Sequence, residues 1–314
     1  MYPPPRELET TVFTRIPEEL KYRGEPNQWV EYTRPGGRMH SFLEGPSFDR
    51  NGNLYCVDVP YGRIFRISPK GEWEVAAEYD GEPNGLKIHQ DGRIFIADQR
   101  HGIMVMEPAV GKVVPFLTRQ NLEPFRGCND LCFTSKGDLY FTDPGRSCLN
   151  DPTGRVFLLH SNGKLELLLK NIPYPNGLVF NCEETYLHIA VTRSNCIWRM
   201  STSSADMIPR VGLFIQLMGG PGGPDGLAMD EADNISIAHS QSGTVWVFSK
   251  FGEPLYRIRS CTGKTITNLA YGGPNRKTLY ITEAESGSVL MAQMEIPRKI
   301  RFIRLKRTSL CEGP

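Results

Sequence analysis

Along the chain, apolar and polar positions alternate in short runs, and almost nothing repeats with helical period. "RIFIAD", "DLYFTD", "TVWVFS" and "GRIFRIS" each hold five or six mostly apolar or alternating positions, the mark of a buried or half-buried strand. Between such runs stand "RNGN", "QDGR", "SKGD" and "SNGK". Asn-Gly and Asp-Gly between apolar runs are strong hairpin signals, because both central residues tolerate positive φ. The pattern therefore predicts hairpins following one another.

These hairpins belong to a longer repeat. Six segments align: "EGPSFDRNGNLYCVDVPYGRIFRISPKG" from Glu44, "PNGLKIHQDGRIFIADQRHGIMVMEPAVG" from Pro83, "CNDLCFTSKGDLYFTDPG" from Cys128, "PNGLVFNCEETYLHIAVTRSNCIWRM" from Pro175, "PDGLAMDEADNISIAHSQSGTVWVFSKFGEP" from Pro224 and "ITNLAYGGPNRKTLYITEAESGSVLMAQM". Placing the Asn of PNGL in register gives Glu44, Asn84, Asn129, Asn176, Asp225 and Asn268, spaced by 40, 45, 47, 49 and 43 residues. A period of about 40–50 residues built from short strands indicates propeller blades. The expected fold is an all-β, six-bladed β-propeller spanning residues 1–314 as one domain, with blades starting near 44, 83, 128, 175, 224 and 267. The strand-like Thr10–Ile16 segment is expected to join the last blade and close the ring, leaving no open edge.

Composition narrows the partners. Lys and Arg number 36 against 35 Asp and Glu, a formal net charge of +1, which creates no general field for nucleic acid or an anionic membrane. No apolar run approaches the ~18 residues of a membrane span. The opening "MYPPPRELETTVF" lacks the basic-then-apolar order of a signal peptide. Eight cysteines form no CxxC pair, so free thiols in a reducing cytoplasm are the simplest reading. "SQSG" has no strand-to-helix context for a nucleophile elbow, and no dinucleotide fingerprint is present. A small-molecule substrate and a monomer or homodimer are expected.

In a propeller the innermost strand of each blade lines the channel, so the six aligned residues form a ring at one mouth. Asn and Asp suit tight turns on their own account. Glu44 is a poor turn residue, however, and Asp225 replaces Asn at another ring position. Two carboxylates with several carboxamides offer hard oxygen ligands, suited to Ca²⁺, Mg²⁺ or Mn²⁺ and tolerating Zn²⁺. Carboxylates gathered without a counter-ion would repel each other, and a cation resolves that repulsion.

The EGP opening, "CNDL" with "DLYFTDPG", "PNGL", "PDGLAMD" and "GTVWVFSKFGEP" together resemble the senescence marker protein, gluconolactonase and luciferin-regenerating enzyme family over roughly Phe42 to Met294. "FTDPG" and "VWVFSKFGEP" are more similar to bacterial gluconolactonases and drug-response lactonases than to the animal marker protein. The resemblance implies a six-bladed propeller holding one divalent cation in its channel, calcium first, with zinc, magnesium or manganese as alternatives. It maps the metal ligands onto Glu44, Asn129, Asn176 and Asp225, with Asn129 serving as ligand or substrate contact. Asp130 follows as a carboxylate that orients ligands or holds a further ion.

The implied chemistry is metal-dependent opening of a lactone, with the cation acting on the ring carbonyl. Calcium lowers the pKa of bound water far less than zinc, so a carboxylate base is needed; Asp225 is assigned that task with Asp130 behind it. Arg126, Asn84, Asn129 and His239 are the candidate substrate contacts. Animal members carry an arginine two residues before the ND asparagine, where this chain has Gly127, which weakens the expectation of a sugar lactone. Cys128 replaces a family proline and reads as a small wall residue. The leader "RGEPNQWVEYTRPGGRMHSF", with Trp29, Tyr32, Met39 and Phe42, either covers the mouth together with the 144–154 insertion or packs outside the last blade. Asp58, Asp98 and Asp143 recur at one blade position and are expected to bond neighbouring backbone. The basic "PRKIRFIRLKR" from Pro297 is expected as an edge strand or docked tail. Alternatives are a promiscuous esterase or phosphotriesterase, a non-hydrolytic enzyme acting on a hydrophobic intermediate, and a non-enzymatic binding propeller with a structural cation.

Overall fold

Residues 2–202 and 210–298 are described by the structure, a computed structural model. The reading of "PRKIRFIRLKR" as strand or tail falls almost wholly outside them.

Four-stranded antiparallel sheets recur around a central axis, and the fold is a six-bladed β-propeller. The innermost strands are Leu43–Phe48, Pro83–Ile88, Leu131–Phe133, Pro175–Phe180, Pro224–Met229 and Ile266–Gly272. Second strands such as Leu54–Asp58, Ile94–Asp98 and Leu139–Asp143 are buried at every position, because neighbouring blades cover both faces. Outer strands are largely exposed, as in Lys112–Leu117. The hairpin signals act as the sequence reading anticipates: Gly52, Gly92 and Gly137 all take positive φ, and Asp49 Oδ1 accepts from the Asn51 and Asn53 amides in the first of these turns.

The core is divided into six apolar clusters, one at each blade interface. At the second-to-third interface, Phe125 meets Phe141 and Phe157 edge-on, while Phe141 and Phe157 stack at 5.3 Å. Losing one such fully buried ring costs about 3–5 kcal/mol.

Two N-terminal strands close the circle. Thr11–Arg15 pairs antiparallel with Ser288–Gln293 as the outer strand of the sixth blade. Arg6–Glu9 pairs parallel with Pro254–Arg259 and gives the fifth blade a fifth strand. Sequence reading missed this second strand, whose exposed positions carry no apolar period.

The repeated PNGL motif lies not in a turn but at an irregularity inside the innermost strand, and it has a steric cause. A Cβ on Gly45 would lie 2.6 Å from Asn84 O, and one on Gly85 would lie 2.6 Å from Asn129 O. Inner strands approach so closely at this level that the position admits glycine in four of the six blades. Threonine hydroxyls stitch adjacent blades at the same level: Thr142 Oγ1 donates to Asn176 O at 2.9 Å, Thr192 Oγ1 to Pro224 O at 2.7 Å and Thr267 Oγ1 to Leu43 O at 2.7 Å.

Candidate functional site

Pairing register corrects one ring position. Pro83, Pro175 and Pro224 lie opposite Asp98, Val191 and His239, and in the sixth blade Ile266 lies opposite Glu283. Ile266 therefore stands at the proline position, Thr267 at the asparagine position and Asn268 at the glycine position. The true ring is Glu44, Asn84, Asn129, Asn176, Asp225 and Thr267. A slip of one residue is invisible to alignment by eye, because "TNL" offers an asparagine next to the place where one is sought.

The five other ring residues assigned from sequence do come together. Glu44, Asn84, Asn129 and Asn176 are buried, and Asp225 keeps some exposure. Glu44 Oε2 accepts from the Gly45 amide at 2.7 Å and from Asn268 Nδ2 at 3.0 Å. Asn176 Nδ2 donates to Thr192 Oγ1 at 3.2 Å.

The glycine position is filled by side chains in two blades, the third with Asp130 and the sixth with Asn268. These blades face each other across the axis, and Asn268 Nδ2 donates to Asp130 Oδ2 at 3.3 Å. The pair forms a bar across the channel just beneath the ring. Asp130 Oδ1 accepts from the Leu131 amide at 2.8 Å, and Lys87 Nζ stands 3.8 Å away from it. Asn268 thus touches both Glu44 and Asp130, a connection that the sequence reading did not assign.

The electrostatics of this cluster are unfavourable for bare carboxylates. Burial, followed by the Asp130 charge, pushes the Glu44 carboxyl up to about 8, while the Gly45 amide, Asn268 and Lys87 act in the opposite sense. Asp225 is pushed well above the usual carboxylate range by desolvation, then by Glu44 and Asp130; hydrogen bonds from Asn176 and Ser240 oppose the shift. Among the described residues, no three His, Cys, Asp or Glu side chains converge as ligands. A cation here must therefore draw on carboxylate and carboxamide oxygens together. Two carboxyls raised first by burial and then by neighbouring charge, in one ring with Asn129 and Asn176, fit a hard divalent ion.

The other candidates take separate places. Arg126 is exposed, and its Nη1 donates to Thr153 O at 2.8 Å, at the end of the insertion. His239 is buried, with Nε2 lacking a partner and a pKa lowered by burial. It occupies the blade position that Asp58, Asp98 and Asp143 hold elsewhere. Those three fasten loops: Asp58 accepts from the Phe42 amide and Arg63, Asp98 from the Glu82 and Arg100 amides, and Asp143 from the Arg126 and Gly127 amides and Arg155. Cys128 is fully buried at a proline position, and burial pushes its thiol well up, so it packs as a small wall residue.

The leader lies on the ring face of the first three blades and not outside the last. Helix Gln28–Thr33 is capped by Asn27, whose Oδ1 accepts from the Val30 amide. Trp29 Nε1 donates to Gln99 Oε1 at 2.9 Å, and Trp29 packs edge-on to Phe42. Arg146 of the insertion lies 3.7 Å over the Tyr32 ring, joining leader and insertion. Beside them Tyr174 takes a positive φ of 64°. Burial, then the charge of Asp225, pushes its hydroxyl up to about 12.

A six-bladed propeller with an oxygen-rich ring at one mouth defines a recognisable class. Residues 42–285 match the family model described as the SMP-30/gluconolactonase/LRE-like region, and the chain belongs to that family. It is 30% identical over 247 residues to lactonase drp35 of Staphylococcus aureus, covering 73% of this chain and 72% of that protein, and 29% identical to its Staphylococcus epidermidis counterpart. Among solved structures, a gluconolactonase from Xanthomonas campestris superimposes with TM-score 0.71 at 21% identity, over 82% of this chain and 86% of that one. The calcium-binding protein regucalcin from Agrobacterium tumefaciens superimposes with TM-score 0.75 at 20% identity, over 94% and 97%. Both share the fold.

Proposed function

We propose that the protein is a divalent-cation-dependent lactonase. The observation that carries this reading is the pair of carboxyls, buried Glu44 and half-buried Asp225, set in a ring of carboxamide oxygens on a chain related to curated lactonases. Glu44, Asn129, Asn176 and Asp225 would hold the cation, with calcium best matched to an all-oxygen set. When bound, the ion polarises the ester carbonyl and stabilises the charge that develops on its oxygen.

The chain's own groups do the rest. Asp225, the ring carboxylate open to the mouth, takes a proton from the attacking water as the new C–O bond forms. It returns that proton to the ring oxygen as the acyl C–O bond breaks, releasing a hydroxy acid. Asp130 acts through Asn268, which fixes the Glu44 carboxylate. Arg126 is tied to Thr153, and Trp29, Tyr32 and Tyr174 crowd the ring face, which favours a lactone with an apolar substituent over a sugar lactone.

Metal content of the purified protein, measured with hydrolysis of aliphatic and sugar lactones before and after chelation, tests the reading. Activity lost to chelator and restored by one divalent ion supports it. Lactone turnover unchanged in metal-free protein, or a loaded protein that turns over no lactone, overturns it.

A further inference from the structure

Three residues along each inner strand from the ring, a second circle of side chains lines the channel beyond the Asp130–Asn268 bar. Its members are Ser47, Lys87, Cys132, Val179, Ala228 and Ala270, placed in register by pairing with Tyr55, Phe95, Tyr140, His188, Ser236 and Tyr280. Five are small or apolar; the sixth is a lysine. These residues line a cavity of about 940 Å³ that opens on the face opposite the ring. Its walls continue with Phe48, Phe133 and Tyr271. This is the size and character of a small-molecule site, apolar with few polar anchors.

Charge gives the cavity a sign. Among its described lining residues, Arg50, Arg276 and Arg298 stand at the rim and Lys87 at the floor, against the single acid Asp49. The Asp49 carboxylate is taken up by its own turn, accepting from the Asn51 and Asn53 amides and the Asn53 side chain. The Lys87 side chain is 23% exposed, and its ammonium is 3.8 Å from Asp130 Oδ1, too far for a hydrogen bond. This ammonium, part-exposed at the closed end of an apolar tube, is the polar anchor that an anion entering from the far face meets.

From this arrangement we infer that the far half of the channel is a binding site for a monocarboxylate with an apolar body, such as a medium-chain fatty acid or an aryl-alkanoate. The carboxylate pairs with Lys87, the body lies along Val179, Ala228, Ala270 and the aromatic wall, and the arginine rim draws the anion in. A phosphate or dicarboxylate fits less well, because the floor presents one cation and inner-strand amides already committed to the sheets.

Calorimetric titration of the full-length protein with octanoate, and in parallel with 1-octanol, tests the site. The expected result is one octanoate per chain, with 1-octanol at least tenfold weaker. Lys87→Met should weaken octanoate at least tenfold, and Ala228→Trp should abolish binding by filling the tube. Near-UV circular dichroism establishes that each variant is folded; Lys87→Gln and Ala270→Leu replace any that is not. Equal affinity for octanol, binding that survives the folded filling variant, or no octanoate heat in the wild-type chain overturns the inference.

Discussion

The two ends of the channel are built from the same six strands and differ in almost every property. At the ring end stand Glu, Asp, Asn and Thr, and carboxyls are pushed up in pKa by burial and by each other. Three residues on, the circle is Ser, Lys, Cys, Val, Ala and Ala. Asp130 and Asn268 hydrogen-bond across the axis between them. A symmetric scaffold thus carries its chemistry in positions where the blades stop matching. Four blades need glycine at the close approach; the two that carry side chains there divide the tube into a polar and an apolar chamber.

Substitutions should separate the chambers, beginning with the largest effect. Asp225→Ala is expected to reduce lactone turnover by about 10³-fold, seen in steady-state rates of cation-saturated protein, while octanoate binding at the far end persists. Loss of both together would mean that the chambers are not independent. Glu44→Gln should weaken cation affinity by about 10–100-fold, measured by competition with a chromogenic chelator. The same change should raise the thermal midpoint of the chelated protein by a few degrees, because it removes a charge that burial and Asp130 disfavour.

A smaller effect concerns acid stability. His188 lies behind Val179 of the apolar circle, and burial, then Arg199, lowers its pKa to about 4. The unfolded chain takes up this proton near pH 6.5 and the folded chain only near 4, so stability is complete above 6.5 and falls as pH drops through that window, by at most about 3 kcal/mol. His188→Gln should flatten the fall in a urea-midpoint series from pH 7 to 4.5. The smallest expected change is at the rim of the fifth blade. Deleting residues 2–9 removes the exposed Arg6–Glu9 strand and should lower the midpoint by a few degrees, leaving turnover and octanoate binding in place. A collapse of either function would show that this strand does more than trim an edge.

Much of this was legible in the chain because repetition multiplies weak signals. One such motif says little; six related segments at a blade-length period define a propeller. Glu44 and Asp225 stood out because they break a local rule, an ill-suited turn residue and an Asp among Asn. What escaped reading depended on register and on contacts across the axis. Asn268 was placed one position early, since only strand pairing distinguishes Thr267 from its neighbour. The Asp130–Asn268 bar joins residues 138 positions apart, and nothing in either local sequence announces the other. Lys87 carries no local signal, because only strand register sets it among its five counterparts. Arg6–Glu9 gave no signal because an exposed outer strand needs no apolar period.

The way the circle is fastened bears on how the chain comes to exist at all. Thr10 Oγ1 receives the Cys261 amide, 251 residues away, and Thr11–Arg15 completes a blade whose other strands lie at 266–293. On the ribosome the two N-terminal strands emerge before every blade, yet their partners belong to the fifth and sixth. Early blades can form hairpins as they appear, but the ring cannot shut until the sixth blade has been made, and contacts of such separation make closure slow. Until then the first blade's outward face stands without its neighbour. The newborn protein is therefore most vulnerable to self-association in the interval between its first strand and its last, and a chaperone that shields the sixth-to-first seam would raise its yield more than one acting on any single blade.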